Sequence, residues 1–159
     1  MNTQPTQGTS RAADVRNCTE ELLRELYKNI NMGADALRDV IPKVKGSDLS
    51  CELTSQLDSY CAFSDRTSKH LTRIGSQPKE KGVMSKMSAK IGIEMNTIID
   101  DTDAHIAQMI IEGTTMGITD TIRLVRDYEN SNCSEEALGL AREVVSYQEK
   151  TVEKMKSYL

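Results

Sequence analysis

The stretch TEELLRELYKNINMGADALRDVIPKV, residues 19–44, decides the fold class of this chain. Its apolar side chains recur at alternating steps of three and four residues, which is the spacing of one face of an α-helix. Thr19 is a helix-capping residue type, and the two acids after it suit the positive end of a helix dipole. The stretch predicts a bundle helix whose buried face carries Leu23, Leu26, Ile30, Gly33, Leu37, Val40 and Val44.

Three further stretches have the same pattern, so the sequence predicts four helices. The expected ranges are about 48–74, 103–128 and 135–158, each long enough to extend roughly 40 Å. Short turns, KVKGSD at 43–48 and ENSNCS at 129–134, make the first and last pairs antiparallel neighbours. The three predicted buried faces carry Leu49, Leu53, Leu57, Tyr60, Ser64, Thr67, Leu71 and Ile74; then Ile106, Ile110, Gly113, Gly117, Thr121, Leu124 and Tyr128; then Ala137, Leu140, Val144, Tyr147, Thr151 and Met155.

The connection between the second and third helices is much longer than the other two. It contains VMSKMSAKIGIEMNTII, residues 83–99, whose spacing predicts a short amphipathic helix. With its flanking loops, this segment is long enough to cross the length of the bundle. One long crossover of this kind is typical of the ferritin-like arrangement.

The composition agrees with an all-α protein. Aromatic residues make up 4% of the 159 residues, Trp is absent and Pro occurs three times, whereas sheets are richer in aromatic and β-branched residues. A net charge of −4 gives no reason to expect nucleic acid, and no apolar run approaches a membrane span. We therefore expect neither a nucleic-acid nor a membrane partner.

The opening segment and the cysteines bear on domain limits and location. Residues 1–18 begin with a polar stretch that has no periodicity, so we expect a disordered tail followed by one domain over 19–159.

The four cysteines are Cys18, Cys51, Cys61 and Cys133, at wide and irregular spacings. This pattern predicts reduced thiols in a cytoplasmic protein and neither a disulfide framework nor a zinc site.

Four short motifs occur in a suggestive order: GSQPKEKG at 75–82, DTDAHI at 101–106, IEGT at 111–114 and RDYE at 126–129. In their order and spacing they resemble a small bacterial branch, of unknown function, of the ferritin-like superfamily. The resemblance covers about residues 19–159. It implies a ferritin-like four-helix bundle with one long crossover carrying a short extra helix.

The chain departs from the metal-binding members of that superfamily. Such proteins place a Glu on each of two helices and a Glu-x-x-His motif on each of the other two. This chain has no Glu-x-x-His, and Thr precedes both His70 and His105 at that spacing. Ile111 and Thr114 stand where the branch has acids, and no predicted buried face carries a carboxylate. We therefore expect no metal site, no cofactor and no catalytic residues.

The third helix contains the residues most open to a functional interpretation. His105 and Glu112 share a face, but seven residues put them about 10 Å apart, too far for one small ion to bridge. We interpret both as structural. Glycine destabilises the interior of a helix relative to alanine, so Gly113 and Gly117 require a structural reason. We expect close packing against the first helix or a subunit partner, with a glycine-lined ligand cavity as the alternative.

Other candidates have a structural interpretation beside the functional one. We interpret the methionines at helical spacing as packing residues, with copper binding as the alternative. We interpret DDTD at 100–103 as a helix cap, with a site for a hard cation as the alternative. We interpret the lysine-containing crossover as a cover on the side of the bundle, with binding to a membrane surface as the alternative. Polar residues in the middle of the predicted buried faces indicate a hydroxyl and amide network, the remnant of a lost site. These sets are Met84, Met87, Met95, Met109 and Met116; Lys79, Lys81, Lys86 and Lys90; and Ser64, Thr67, Thr121, Thr151, Gln148, Tyr60 and Tyr147.

The first functional hypothesis is a non-catalytic, homodimeric ferritin-like bundle that acts in the cytoplasm as an interaction module with an unknown protein partner. The resemblance adds a possible association with stress. The alternatives are an atypical iron-binding oxidase or storage protein that uses His105 and Glu112, and a carrier of a small apolar ligand along the Gly- and Met-containing part of the third helix.

Overall fold

The computed structural model describes residues 7–78 and 102–159. These residues form four α-helices and no strand. The helices are α1 (Gln7–Val40), α2 (Ser47–Arg73), α3 (Asp103–Glu129) and α4 (Glu135–Met155), with single 3₁₀ turns at Ile41–Lys43 and Lys156–Tyr158. The predicted all-α class is confirmed, and the predicted starts of α2, α3 and α4 agree to within one residue. The predicted crossover helix, 83–99, lies outside the described residues.

Helix α1 begins at Gln7, twelve residues before the predicted start at Thr19. The prediction of a disordered tail is therefore wrong for residues 7–18, and residues 1–6 are not among those described. Thr19 is not a cap: its hydroxyl donates to the carbonyl of Val15 one turn earlier, at 2.7 Å. Within α1, Cys18 and Thr19 are tied to the segment just before α4 by a disulfide and a hydrogen bond.

Polar side chains cap the two later helices as their sequences suggest. Thr102 caps α3 by accepting from the His105 amide at 3.3 Å, and Ser134 caps α4 by accepting from the Ala137 amide at 3.4 Å. The capping interpretation of the segment before α3 is thus confirmed for Thr102. Asp103, in the first turn of α3, accepts from the amide of Gly46 in the α1–α2 turn at 3.3 Å.

Contacts between helix ends define the direction of each helix. At one end of the molecule, Ser76 just after α2 hydrogen-bonds Arg24 at 2.7 Å and Glu20 at 2.9 Å, both near the middle of α1. At the same end, Tyr128 of α3 lies 3.3 Å from the carboxylate of Glu21. The start of α3 lies at the other end, beside Gly46. Helix α1 therefore runs antiparallel to both α2 and α3, and α3 begins at the end opposite to that where α2 finishes.

The core runs along the middle of the four helices. Its fully buried members include most of the predicted buried faces, among them Leu23, Leu26, Leu53, Ile106 and Val144. In residues 10–78 and 102–159 every Asp and Glu is exposed or half-buried. The interior of the described part is thus lined by aliphatic groups with a few hydroxyls and amides. Within the same residues, no helix combines the length and hydropathy required to cross a membrane.

A disulfide joins Cys18 of α1 to Cys133, which lies just before α4. Their Cα atoms are 5.2 Å apart, well within the usual range for bonded cysteines. The prediction that all four cysteines are reduced is wrong for this pair. The starts of α1 and α4 meet only in the folded chain, at a sequence separation of 115, so no local spacing reveals the bond. Cys51 and Cys61 are free thiols.

Candidate functional site

A cavity of about 150 Å³ opens between α1 and α3 and reaches the middle of the molecule. Its walls are mostly apolar, and all four helices contribute to them. The lining residues are Asn29, Met32, Gly33, Ala36 and Leu37 of α1, Gln56 and Tyr60 of α2, Met109, Ile110, Glu112, Gly113, Thr114, Met116, Gly117 and Asp120 of α3, and Gln148 of α4. We call this space the α1–α3 cavity.

Small residues on the two facing helices create the space. At Gly33, a β-carbon would lie 2.6 Å from Cε1 of Tyr60, so only glycine lets the Tyr60 ring lie against α1. At Gly117, a β-carbon would lie 3.0 Å from Nε2 of Gln148. At Gly113, nothing lies within 4 Å of that position. Gly113 therefore leaves open space, whereas the other two glycines admit a polar side chain from an opposite helix.

The prediction that Gly113 and Gly117 pack closely against α1 is wrong. Gly117 receives Gln148 from α4, and Gly113 is exposed and touches nothing across the cavity. Both glycines, together with Met109 and Met116, line the α1–α3 cavity. The geometry of the alternative, a cavity lined by glycine, is therefore the one observed. Packing of these glycines against a second subunit stays a prediction.

A tyrosine and a glutamine form the inner wall. Tyr60 is 4% exposed and Gln148 is 3% exposed, and Nε2 of Gln148 donates to the Tyr60 hydroxyl at 3.2 Å. Burial raises the pKa of Tyr60, with Thr114 a further hydrogen-bonding neighbour of its hydroxyl. Tyr60 is therefore protonated at neutral pH. The ring of Tyr147 meets that of Tyr60 edge to face, with centroids 6.0 Å apart.

A second glutamine, Gln56, lies on the same wall and is 3% exposed. Its Nε2 donates to the carboxylate of Glu52 at 3.0 Å. Because an ionised carboxylate accepts hydrogen bonds and donates none, this bond identifies the amide nitrogen of Gln56 as the atom beside Glu52. The side-chain carbonyl oxygens of Gln56 and Gln148 are both buried without a hydrogen-bond partner. Both oxygens are out of reach of solvent, so the inner wall encloses two unpaired acceptors and does not expose them to the cavity.

The charge around the cavity has one sign. Glu112 and Asp120 line it, and none of the described lining residues is Lys, Arg or His. Glu112 is exposed and accepts from Gln108 at 2.9 Å, while Asp120 is half-buried and 3.7 Å from Arg123. The cavity thus has carboxylates on its α3 side, an environment that disfavours an anion.

The histidines do not join this site. His105 lies in the first turn of α3 and is absent from the lining that includes Glu112. His70 is 5% exposed and faces Glu136, with 3.6 Å between its Nε2 and the carboxylate. In the described residues, no three His, Cys, Asp or Glu side chains lie close enough together to hold a metal ion. The absence of a metal centre stays a prediction for the whole chain.

The predicted polar network is smaller than its residue types suggest. Thr67 and Thr121 satisfy their hydroxyls within their own helices, by donating to the carbonyls of Phe63 and Gly117 at 2.8 Å each. Ser64 donates to Asn31 at 3.1 Å, away from the cavity. Of the set, Tyr60 and Gln148 are joined in the buried centre. The methionines Met84, Met87 and Met95 and the lysines of the crossover lie outside the described residues.

Sequence reasoning missed Gln56, although the sequence carries a signal for it. Buried positions of α2 follow the steps 4, 3, 4, 3, 4, 3 at Leu49, Leu53, Gln56, Tyr60, Phe63, Thr67 and His70. The prediction follows Leu57 at this point because leucine is the more usual core residue. Leu57 is half-buried. Gln56 keeps the alternating steps of four and three residues, and it is the residue that is buried at this point.

The chain matches no protein-family model and no curated protein sequence. Among solved structures it is similar to the crystal structure of a conserved hypothetical protein from Mycobacterium tuberculosis. The two align with a TM-score of 0.60 over 97% of this chain and 100% of that one, at 11% sequence identity. A likeness at this identity concerns the fold alone and assigns no function.

Proposed function

We propose that this protein is a non-catalytic helical bundle that binds a small, mainly apolar molecule in the α1–α3 cavity. The observation that carries the proposal is a mostly apolar cavity of about 150 Å³ that reaches the buried side chains of Tyr60 and Gln148. Ligand sites are typically concave and apolar, with a few placed polar groups that orient the ligand. An engineered cavity of about this size in another protein holds benzene.

Binding fits the cavity better than catalysis. Among the described residues, its lining offers no Cys, Ser or His, so the Ser–His and Cys–His pairs of nucleophilic enzymes are absent from it. Tyr60 is held protonated, because burial raises its pKa. Glu112 lies on the exposed surface of α3. These groups are suited to holding a molecule by hydrogen bonds and apolar contact.

We also propose that the bundle is ferritin-like. The support is the order of helix directions, in which two antiparallel pairs are joined by a connection whose two ends lie at opposite ends of the molecule. That is the arrangement of a bundle with one long crossover. The chain would then be a ferritin-like bundle with amide and hydroxyl groups near its centre.

A titration with fluorobenzene, followed by fluorine NMR, tests the binding function. We expect saturable binding to the wild type. We expect none in Gly113→Leu, since the new side chain starts in the open space of the cavity. Gly139→Leu is the matched control, because a β-carbon there also meets nothing within 4 Å and Gly139 is not in the lining. No binding to the wild type, or equal binding by both variants, would contradict the proposal.

A homodimer is a separate proposal, supported by apolar side chains on the outer face of α3 and α4. Ile122 is a large hydrophobic residue with 40% of its surface exposed. Val125 and Val145 lie beside Ile122 in a shallow depression. Light scattering after size exclusion, with Ile122→Lys as the disrupting variant, tests this: a monomeric wild type at high concentration would rule it out.

The cytoplasmic location stays a prediction. It was inferred partly from four reduced cysteines, and the disulfide weakens that support. Disulfides persist mainly in oxidising compartments, and Cys18 and Cys133 form one. Alkylating free thiols at the moment of cell lysis, followed by mass spectrometry, would show the state of this pair in its own compartment. Complete alkylation of both cysteines would favour the cytoplasm.

A further inference from the structure

One face of α3 is exposed along most of the helix. Its residues follow one another in steps of four and three, which places them on a single line along the helix surface. They are Gln108, Glu112, Thr115, Thr119, Ile122 and Arg126, and each of them is exposed. We call these six residues the α3 stripe.

The middle of the α3 stripe lacks charge, unlike an ordinary solvent-facing helix surface. No Asp, Glu, Lys or Arg occurs between Glu112 and Asp120. The exposed face of α1, in contrast, carries charged residues at most turns: Glu21, Glu25, Lys28, Asp35 and Asp39. A helix face that remains in water is typically charged or polar, so the uncharged middle of the α3 stripe is compatible with a covered surface.

The two threonines of this middle part lose little when water is removed from them. Thr115 donates its hydroxyl proton to the carbonyl of Ile111 at 2.7 Å, and Thr119 donates to the carbonyl of Thr115 at 2.9 Å. Covering them therefore leaves no donor unpaired. Ile122 is 40% exposed and would gain from the burial of its apolar surface.

Opposite charges flank this middle part at equal distances. Glu112 lies seven residues before Thr119 and Arg126 seven residues after it, so each is about 10 Å from Thr119 along the helix. The carboxylate of Glu112 accepts from an uncharged side chain, Gln108, at 2.9 Å. Arg126 forms no ion pair with any described residue. Both charges are therefore available to a partner.

This arrangement is complementary to itself when reversed. In an antiparallel second copy of α3 that crosses at Thr119, Glu112 of each copy lies level with Arg126 of the other. Thr115 lies opposite Ile122 of the second copy to within the rise of one residue. A surface that contacts its own copy in this way forms an isologous interface with a two-fold axis.

We propose that two copies of this chain associate through their α3 stripes, antiparallel to each other, about a two-fold axis beside Thr119. Two Glu112–Arg126 ion pairs flank a neutral centre made by Thr115, Thr119 and Ile122. This inference rests on the proposed homodimer and gives its axis and orientation. The contact is small, so we expect a dimer with a Kd of about 1 μM or weaker.

An exchange of charges tests the arrangement by sedimentation equilibrium of the full chain. We expect Glu112→Arg to raise the dimer Kd about tenfold or more, because it places two arginines opposite each other at both ends of the contact. We expect the double variant Glu112→Arg with Arg126→Glu to restore the wild-type Kd to within about threefold, since each ion pair is then reversed. Asp58→Arg, which makes the same charge change on the exposed face of α2, is the control.

A cysteine at the axis provides a second test that does not depend on charge. In a chain that also carries Cys51→Ser and Cys61→Ser, we expect Thr119→Cys to form a disulfide between two copies on mild oxidation, seen on a non-reducing gel. Thr54→Cys is the matched control, since Thr54 is an exposed threonine of α2 whose hydroxyl also donates one turn back, to Ser50 at 2.8 Å.

The results separate this arrangement from dimerisation itself. If the wild type dimerises but the double charge variant does not recover, the proposed axis is wrong and the homodimer stands. The same conclusion follows if Thr119→Cys cross-links no more than Thr54→Cys. If the wild type is a monomer at high concentration, both the arrangement and the homodimer are wrong.

Discussion

Two regions of this molecule are built differently: the end of the bundle that carries the disulfide, and its middle. At the disulfide end, Leu22, Leu23 and Leu138 are buried in aliphatic surroundings. Thr19 there accepts from the amide of Ser134 at 3.0 Å, beside the Cys18–Cys133 bond. In the middle, glycines line a cavity between the helices, and the side-chain oxygens of two buried glutamines have no hydrogen-bond partner.

The difference fits a bundle that combines stability with the proposed binding site. Apolar burial and a covalent link at one end stabilise the fold, so the middle can tolerate buried groups that destabilise it. Unpaired polar atoms at a binding site are a common cost of function. Four sets of variants test this division, from the largest expected effect to the smallest.

Removing the disulfide should have the largest effect. We expect Cys18→Ser with Cys133→Ser to lower the free energy of unfolding by about 2–5 kcal/mol, because the bond closes a long loop in the unfolded chain. Urea denaturation measures this, and Cys51→Ser with Cys61→Ser is the control, since those thiols are free. Equal losses in the two double variants would show that the disulfide end is not the stabilised region.

A reciprocal exchange of amide and apolar side chains compares the two regions directly. We expect Leu23→Gln to lower the free energy of unfolding by about 3 kcal/mol, because it buries an amide among aliphatic groups. We expect Gln56→Met, without ligand, to raise it by about 1 kcal/mol, because an unpaired buried carbonyl disappears. Thermal and urea unfolding measure both. A loss in Gln56→Met as large as that in Leu23→Gln would contradict the division.

Two glycines of α3 provide a matched pair within the middle. We expect Gly113→Ala to raise the free energy of unfolding by about 0.5–1 kcal/mol, because alanine favours the helix and the space is open. We expect a smaller gain, or a loss, in Gly117→Ala, since the added carbon would lie 3.0 Å from Gln148. Equal changes in the free energy of urea unfolding would show that the position of the Gln148 side chain does not require a glycine opposite it.

The smallest effect concerns pH. Burial lowers the pKa of His70, against the opposing effect of Glu136 and with a small contribution from Arg73. The unfolded chain then binds a proton below a pH of about 6.5 that the folded chain does not. We therefore expect stability to fall between pH 7 and pH 5, and to fall less in His70→Gln. His105→Gln is the control; an unchanged pH profile in His70→Gln would refute this assignment.

The sequence was most informative where periodicity alone decides the structure. Buried residues such as Leu26, Ile30 and Val144 follow from helical spacing, and short turns fix which helices are antiparallel. The disulfide could not be predicted, because Cys18 and Cys133 meet only after the helices pack. Gln56 was recoverable from heptad register. The cavity was not, since its volume depends on how far apart the packed helices lie beside Gly113, and the spacing of apolar residues does not give that distance.

The link between Cys18 and Cys133 has a topological consequence. It makes the backbone between them a covalent ring, with a sequence separation of 115, from which only the two terminal segments extend. One protease cut anywhere within that ring opens it without dividing the molecule. A singly nicked chain would migrate as one species on a denaturing gel and fall into two fragments only after a thiol reductant is added.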